Sequence, residues 1–233
     1  MPVRLVLWDV DHTLVELHRL HYDLYRRALT AAFDKDAEYL PDMSGRTDRE
    51  SSTKMLAAHG IEPDPDNLHL FWKRLVEQFD QVAPDLPGTG HAVDGAPAVL
   101  AALWGRSDVF QSVLTGNLRA LAERKLGLFG LDRYLDLDIG GYGEDDVDRA
   151  SLVAVASGRV TARHGVVIGP ADTILVGDTP NDVKAAHDSG ARAVAVATGR
   201  TTAEELARAG ADAVLADLQN TDAVVRAILT AGY

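Results

Sequence analysis

Short apolar runs alternate with longer stretches of helical spacing along most of the chain. The clearest runs cover residues 3–8, 109–114, 173–176 and 193–197, and weaker runs cover 137–139 and 213–215. Runs of this length, rich in β-branched and aliphatic residues and bounded by Gly, Asp or Thr, are typical of buried strands. Because strands that alternate with helices usually form one parallel sheet, the pattern predicts an α/β fold.

The alternation is interrupted over residues 16–92, where we find no strand pattern. Helices are predicted there for three amphipathic stretches, residues 17–33, 49–59 and 67–82. Residues 83–93 concentrate Pro and Gly, as expected of a linker that returns the chain to the main domain. We therefore predict a helical insertion with its linker at 16–92 and a main domain formed by 1–15 and 93–233.

The overall composition favours a protein that acts on small molecules. The chain has 233 residues, 46% of them hydrophobic, which suffices for one core and one insertion. Its net charge of −12 and pI near 5.0 argue against binding to nucleic acid or to an anionic membrane surface. Cysteine is absent, which excludes disulfides, thiolate zinc sites and a cysteine nucleophile and fits a reducing, cytoplasmic location. The first apolar run is too short for a signal peptide or a membrane span.

Two acids end the first predicted strand, in the motif DVDHT. Asp9 and Asp11 are two residues apart, so in an extended segment their side chains point to the same side. A bound cation would relieve the repulsion between them, and Mg²⁺, which prefers oxygen ligands, is the natural candidate. The alternative is that two short acids merely form the turn after a buried strand.

The motif LTGN ends the second clear strand and precedes a predicted helix. Thr115, Gly116 and Asn117 offer a hydroxyl, free backbone N–H groups and a side-chain amide, all of which can donate hydrogen bonds to phosphate oxygens. The alternative is an ordinary strand-to-helix turn with Asn117 as the N-cap.

The motif GDTPND ends the third clear strand and brings two more acids. If its strand neighbours the first one, Asp9 and Asp178 could bind one Mg²⁺ from different loops. Asp182 would then orient the site without binding the ion itself. The alternative for Asp182 is that it caps the following helix.

Together, DVDHT, LTGN and GDTPND, each after its own strand, resemble the haloacid dehalogenase-like hydrolase superfamily over essentially the whole chain. The helical insertion resembles the cap of that superfamily. The likeness is strongest to phosphoglycolate-phosphatase-like members, which pair LTGN with a downstream GDTP and carry a Gly-Arg-Thr-Asp-like segment in the cap, here residues 45–48. The resemblance implies a Rossmann-like parallel sheet core with an inserted α-helical cap domain.

The resemblance also implies a mechanism with a magnesium cofactor. Asp9 would attack phosphorus to form an aspartyl-phosphate, and Asp9, Asp178 and the backbone carbonyl of Asp11 would bind Mg²⁺. The Asp11 carboxyl would protonate the leaving group and later activate water. The LTGN motif would hold the phosphoryl group. An acid at position 11 disfavours dehalogenation, because the dehalogenases of the superfamily lack it.

Two positions depart from the family pattern. The third motif of the family usually supplies a lysine, but no lysine occurs between Lys125 and Lys184. We assign Arg149, at the start of a predicted helix over residues 149–163, to bind phosphate and neutralise the nucleophile. The alternative is that Arg149 is a surface charge. His12 stands where the family usually has glycine, and we interpret it as a passive loop residue.

Polar residues of the predicted cap would select the substrate. Arg46 is the first candidate, because a cation lowered over the site could bind a carboxylate or a second phosphate; the alternative is an exposed charge. His18 and His21 lie three apart on the first predicted cap helix and, with no third ligand, are interpreted as solvated. Residues 140–143, GGYG, are interpreted as a flexible loop.

The sequence thus predicts a magnesium-dependent phosphatase that hydrolyses small phosphomonoesters, with a small phosphorylated metabolite as its partner. One alternative is a phosphomutase of the same fold, which would return the phosphoryl group to a sugar. The other is a non-catalytic phosphate-sensing protein, against which the retention of Asp9, Asp11 and Asp178 argues.

Overall fold

Within residues 3–17 and 20–231, which this computed structural model describes, five strands form one parallel sheet. With two further short strands outside this sheet, the strands of the described residues in chain order are β1 (Arg4–Trp8), β2 (Val15–Glu16), β3 (His91–Ala92), β4 (Val109–Val113), β5 (Thr173–Gly177), β6 (Arg192–Val196) and β7 (Ala213–Leu215). The sheet has the order β4-β1-β5-β6-β7, so β1 lies between β4 and β5, and β2 pairs with β3 outside it. The prediction of a parallel α/β sheet is confirmed.

Helices cover both faces of this sheet. They are α1 (Leu20–Phe33), α2 (Asp48–Ala58), α3 (Pro65–Val82), α4 (Ala96–Trp104), α5 (Arg119–Leu128), α6 (Ser151–His164), α7 (Pro180–Ser189), α8 (Ala203–Arg208) and α9 (Thr221–Thr230). None of the helices in the described ranges is long and apolar enough to cross a membrane.

Strand β1 is apolar from Leu5 to Trp8 because both of its faces are buried. Val6 and Trp8 pack in one cluster with residues of α4 and α9, whereas Leu5 and Leu7 pack in a second cluster with residues of α6 and α7. Successive residues of a strand point to opposite faces, so a strand covered on both sides requires a continuous apolar run.

The inserted helices α1, α2 and α3 have an apolar cluster of their own. Tyr25, Phe71 and Phe79 lie at its centre and are fully buried. Leu118 and Leu121, at the start of α5, join the same cluster. The inserted helices therefore pack against the segment that follows β4.

Side-chain caps begin the helices that carry site residues. The Thr47 side chain accepts a hydrogen bond from the backbone N–H of Glu50 before α2. Thr179 and Asp182 form a reciprocal capping box at the start of α7. Such caps satisfy N–H groups that a helix leaves unpaired at its first turn.

A short ladder joins the insertion to the sheet domain. β2 and β3 pair antiparallel, with Val15 opposite Ala92 and Glu16 opposite His91. The sequence analysis predicted no strand there, because strands of two residues carry no periodic signal. The ladder lies at the predicted boundaries of the insertion, and the boundaries themselves stay a prediction.

Two sequence-based expectations between β4 and α6 are wrong. Residues Leu137–Ile139 form a 3₁₀ turn rather than a strand, because the Asp136 side chain accepts from the backbone N–H of Asp138 and starts a turn. Residues 140–143 are buried rather than a flexible loop. The Tyr142 hydroxyl, which donates to the Leu137 carbonyl, ties this segment down.

Candidate active site

The carboxyl ends of β4, β1 and β5 open into a cavity of about 530 Å³. The last residues of the three strands are in register, so the residues after them emerge side by side. Ligands of open parallel sheets bind at this edge. The site residues predicted from the sequence that line the cavity are Asp9, Asp11, Arg46, Thr115, Gly116, Asn117, Arg149 and Asp178.

Asp9, Asp178 and Asp182 form a buried acidic cluster. One carboxylate oxygen of each lies within 4.8 Å of the others, and the three residues are 7%, 2% and 3% exposed. Burial raises the pKa of Asp9 to about 7, with repulsion from Asp182 adding to the rise and the Arg149 guanidinium opposing it. Burial, together with repulsion from Asp9 and Asp182, raises the pKa of Asp178 to about 9. The ionised forms of these acids are poorly compensated.

Arg149 is the cation inside this cluster. Its Nη2 donates to Oδ1 of Asp9 at 2.7 Å and lies 2.6 Å from Oδ1 of Asp182. Burial would lower the pKa of this guanidinium, but the two carboxylates raise it, so the group stays protonated. Helix α6 begins at Ser151 rather than at Arg149, which places Arg149 in the preceding loop. The structure thus brings Arg149 against Asp9, away from the solvent-exposed alternative.

The donor set suits a divalent cation of the Mg²⁺ type. Asp9 and Asp182 contact one guanidinium, and the Asp178 carboxyl group lies within 4.8 Å of both acids, so the cluster holds three acidic groups and one basic group. Carboxylate oxygens are the ligands that Mg²⁺ prefers. Asp182 also caps α7, because its Oδ2 accepts from the backbone N–H and the hydroxyl of Thr179 at 3.0 and 2.7 Å. The structure thus shows Asp182 as a cap of α7, and its role in orienting the site stays a prediction.

Asp11 points to a different group of partners from Asp9. Lys125 Nζ donates to both of its carboxylate oxygens at 2.7 and 2.8 Å, and the Asn117 amide donates to Oδ2 at 2.7 Å. Burial would raise the pKa of Asp11, but the Lys125 ammonium, followed by His21, outweighs burial and holds this pKa well below its usual range. Asp11 is therefore ionised in this structure.

The LTGN segment is rigid and tightly packed. The Asn117 side chain donates to Oγ1 of Thr115 at 2.7 Å, and the Asn117 backbone N–H donates to the same oxygen at 3.2 Å. A Cβ on Gly116 would lie 1.9 Å from the Arg46 carbonyl oxygen, so only glycine fits there. Leu118 rather than Asn117 is the N-cap residue of α5, which leaves the Asn117 side chain directed into the site.

The first turn of α2 is bonded directly to this segment. The backbone N–H of Asp48 donates to the Gly116 carbonyl at 2.7 Å, and Oδ2 of Asp48 accepts from the backbone N–H of Leu118 at 2.8 Å. The buried Tyr25 hydroxyl donates to the other Asp48 oxygen at 2.6 Å. The backbone N–H of Arg49 donates to the Gly143 carbonyl at 2.9 Å. These bonds hold the inserted helices over the cavity.

The remaining candidates are paired with acids rather than free. Arg46 Nη1 bonds Oε1 of Glu50 at 2.6 Å beside the cavity. His12 adopts a left-handed backbone, with φ of 62°, and its ring bonds Glu16 at 2.6 Å. Its interpretation as a passive loop residue stays a prediction. His21 contacts Asp48 at 3.2 Å and lines the cavity, so its interpretation as solvated is wrong. His18 lies outside the described residues.

Sequence reasoning missed Lys125. Lys125 occupies the apolar stripe of α5, one turn after Leu121 and Ala122, and is only 3% exposed. A lysine at a position that the helical period assigns to the core is the signal that could have revealed it. Asp48 ends the Gly-Arg-Thr-Asp-like segment that the resemblance singled out, but its bonds to Leu118 and Tyr25 are visible only in the structure.

Comparison with known proteins agrees with the motifs. A family model described as HAD-hydrolase-like, for haloacid dehalogenase-like hydrolases, matches residues 152–221, which include GDTPND. No curated protein matches the chain.

Solved structures are similar to this one over nearly its whole length. A predicted phosphatase from Clostridium acetobutylicum is 20% identical, with 98% of this chain and 99% of that chain covered and a TM-score of 0.67. A predicted phosphoglycolate phosphatase from Haemophilus somnus is 18% identical, with 95% and 97% covered and a TM-score of 0.63. A protein assigned as a beta-phosphoglucomutase from Thermotoga maritima is 21% identical, with 96% and 98% covered and a TM-score of 0.58.

These matches confirm the predicted fold, a Rossmann-like parallel sheet core with an inserted helical cap. Over residues 152–221, the family model also confirms the resemblance to the haloacid dehalogenase-like hydrolases. The phosphoglycolate-phosphatase-like subgroup stays a prediction.

Proposed function

We propose that this protein is a magnesium-dependent phosphatase that hydrolyses small phosphomonoesters through an aspartyl-phosphate on Asp9. One observation carries the proposal. Asp9 directly follows β1, lines the cavity, bonds Arg149 and has a carboxylate oxygen of each of two further acids within 4.8 Å. A carboxylate so placed can act both as a nucleophile and as a cation ligand.

The residues around Asp9 supply what attack on phosphorus requires. The Arg149 guanidinium bonds Asp9 and lines the cavity, so it can keep the nucleophile ionised and attract the phosphate dianion. Its Nε has no hydrogen-bond partner among the described residues and is free to donate. The Thr115 hydroxyl and the Asn117 amide, fixed to each other, would hold the phosphoryl oxygens.

Asp9, Asp178 and the Asp11 backbone carbonyl would hold the magnesium ion, with Asp182 orienting Arg149. When bound, Mg²⁺ would offset the repulsion between the phosphate and the carboxylates. The gathering of three carboxyl groups within 4.8 Å of one another supports this assignment.

Asp11 would be the proton carrier. In its ionised form it can take a proton from the water that attacks the aspartyl-phosphate. Protonation of the leaving group requires that Asp11 first gain a proton, and the negative charge of a bound substrate would favour that gain. The inserted helices, which are bonded to the LTGN segment, would exclude bulk water during these proton transfers.

We propose a phosphate ester of a small metabolite as the substrate. A cavity of about 530 Å³ holds a small molecule and no macromolecule. Arg46 is the cap residue we propose for specificity, since its guanidinium can exchange Glu50 for an anionic group of the substrate. Phosphoglycolate, suggested by the motifs, is one compound of this kind.

The test is phosphate release from a panel of phosphomonoesters, measured with Mg²⁺ and with a chelator. The panel contains phosphoglycolate, sugar phosphates, nucleoside monophosphates and 4-nitrophenyl phosphate. We expect release that requires Mg²⁺ and that ranks the substrates. Interconversion of sugar phosphates without release would instead identify a phosphomutase. Phosphate binding without any turnover would identify a sensor, and either result would overturn the proposal.

A further inference from the structure

We propose that Lys125 is a positioning residue for the acid–base step, holding the Asp11 carboxylate against Asn117 in the orientation from which it serves the leaving group. This inference rests on the phosphatase function proposed above. Lys125 lies on α5, 114 residues from Asp11 in sequence, and belongs to none of the three motifs.

The three N–H donors of the Lys125 ammonium group are all used within the site. Lys125 Nζ bonds Oδ1 and Oδ2 of Asp11 at 2.7 and 2.8 Å and Oδ1 of Asn117 at 2.7 Å. An ammonium group has three N–H donors, and three acceptors surround it here. A lysine that has used its donors in this way acts through its partners.

Lys125 also decides which way the Asn117 amide faces. Because its oxygen accepts from Lys125, its nitrogen must point the other way, where it donates to Asp11 and to Thr115 at 2.7 Å each. Lys125, Asn117 and Asp11 thus form a closed triangle of hydrogen bonds. The phosphate-binding loop and the proton carrier are held by the same ammonium group.

Fold stability alone does not account for this lysine. Lys125 is 3% exposed and shares its face of α5 with Leu121, Ala122 and Leu126. Burying an ammonium group costs free energy even when it is paired, and an apolar side chain in such a place is often as stable or more stable. Its position beside Asp11 and the cavity points to a role in the reaction.

The test compares Lys125→Met with the wild type on an alkyl phosphate and on 4-nitrophenyl phosphate. The alkoxide leaving group of the former needs a proton, whereas nitrophenolate leaves without one. The ratio kcat/KM covers steps only up to leaving-group departure, so later hydrolysis of the aspartyl-phosphate does not affect it. We expect kcat/KM to fall about 100-fold for the alkyl phosphate and less than about threefold for the aryl phosphate.

An equal fall for both substrates would overturn the proposal, because it would mean that Lys125 binds the phosphate common to them. Lys184→Met is the matched control. It removes the exposed Lys184–Asp188 pair, and both kcat/KM values should stay within about twofold of the wild type. A wild type that hydrolyses neither substrate would contradict the phosphatase function itself.

Lys125→Gln replaces Lys125→Met in this comparison if the Met variant does not fold, because the glutamine amide can still donate a hydrogen bond to Asp11. We expect the same preference for the aryl phosphate, with a smaller loss on the alkyl phosphate. Failure of both variants to fold would assign Lys125 to fold stability and overturn the proposal.

Discussion

At the scale of single residues, Asp9 belongs to a cluster at the strand ends that holds more acidic than basic side chains. Two buried acids contact one arginine, a third lies beside them, and burial keeps water from screening them. Partners that hold a buried charge are worth far more than surface pairs, because their removal leaves that charge uncompensated. Arg149 should therefore matter both to phosphate binding and to the stability of the site.

Replacing Arg149 tests its assigned role. Arg149→Ala should lower kcat/KM by roughly 100- to 1,000-fold, the usual effect of removing a charged group that stabilises the transition state. Arg149→Lys keeps the positive charge and should lose less. Arg163→Ala, a half-exposed arginine on α6, is the control and should leave kinetics nearly unchanged. Equal kcat/KM values for Arg149→Ala and the control would show that Arg149 has no role in phosphate binding.

Sequence reasoning reached the individual acids because each follows an apolar run. Asp9, Asp11 and Asp178 were found by this rule, and Arg149 by the absence of an expected lysine. The rule could not find Lys125, which lies in the second turn of α5. Pairing between residues 114 positions apart depends on tertiary packing and leaves no local pattern.

At the scale of elements, the contact between α2 and the LTGN segment couples the cap to phosphate binding. Asp48 accepts from Leu118 of the core and from Tyr25 of α1, so one carboxylate joins three elements. Closure of the inserted helices and the shape of the phosphate loop are therefore linked. A substrate that prefers the closed form would stabilise this contact.

Asp48→Ala should loosen closure. It leaves the Tyr25 hydroxyl and the Leu118 N–H without their acceptor, at a cost of about 1–3 kcal/mol in the free energy of unfolding. The same loss in the closed state should raise KM about tenfold. Asp36→Ala, an exposed acid of the insertion, is the control for both measurements. An unchanged KM would show that closure does not depend on Asp48.

The strands were predictable to within one residue at each end for β1, β4, β5 and β6, because buried parallel strands are mostly apolar. The run at 137–139 misled the prediction because three apolar-rich residues suit a turn as well as a strand. Asp136, whose side chain starts that turn, was the local signal against a strand.

At the scale of the whole molecule, stability should depend on pH and Mg²⁺ together. Burial raises the pKa of Asp9 to about 7 and that of Asp178 to about 9. The folded state thus binds protons more tightly than the unfolded state. This contribution to stability is fully present below the ordinary aspartate pKa and is lost as pH rises through the two raised values.

Mg²⁺ should reverse that loss, because it replaces the protons on the same oxygens. We expect the rise in Tm caused by Mg²⁺ to be larger at about pH 8 than at about pH 6, as followed by thermal denaturation. Asp178→Asn should abolish most of the rise. A rise of equal size at both pH values, or one retained in Asp178→Asn, would place the ion elsewhere.

The most direct test of the central claim is to trap the phosphorylated enzyme by rapid acid quench during turnover and to map the modified residue by mass spectrometry. We predict a phosphoryl group on Asp9 in the wild type, and no adduct in Asp9→Asn, whose kcat should fall at least about 1,000-fold. Asp9→Asn should stay folded, because it removes a poorly compensated charge without changing side-chain size. Phosphate release at full rate from Asp9→Asn, or a phosphoryl group on another residue, would contradict the account.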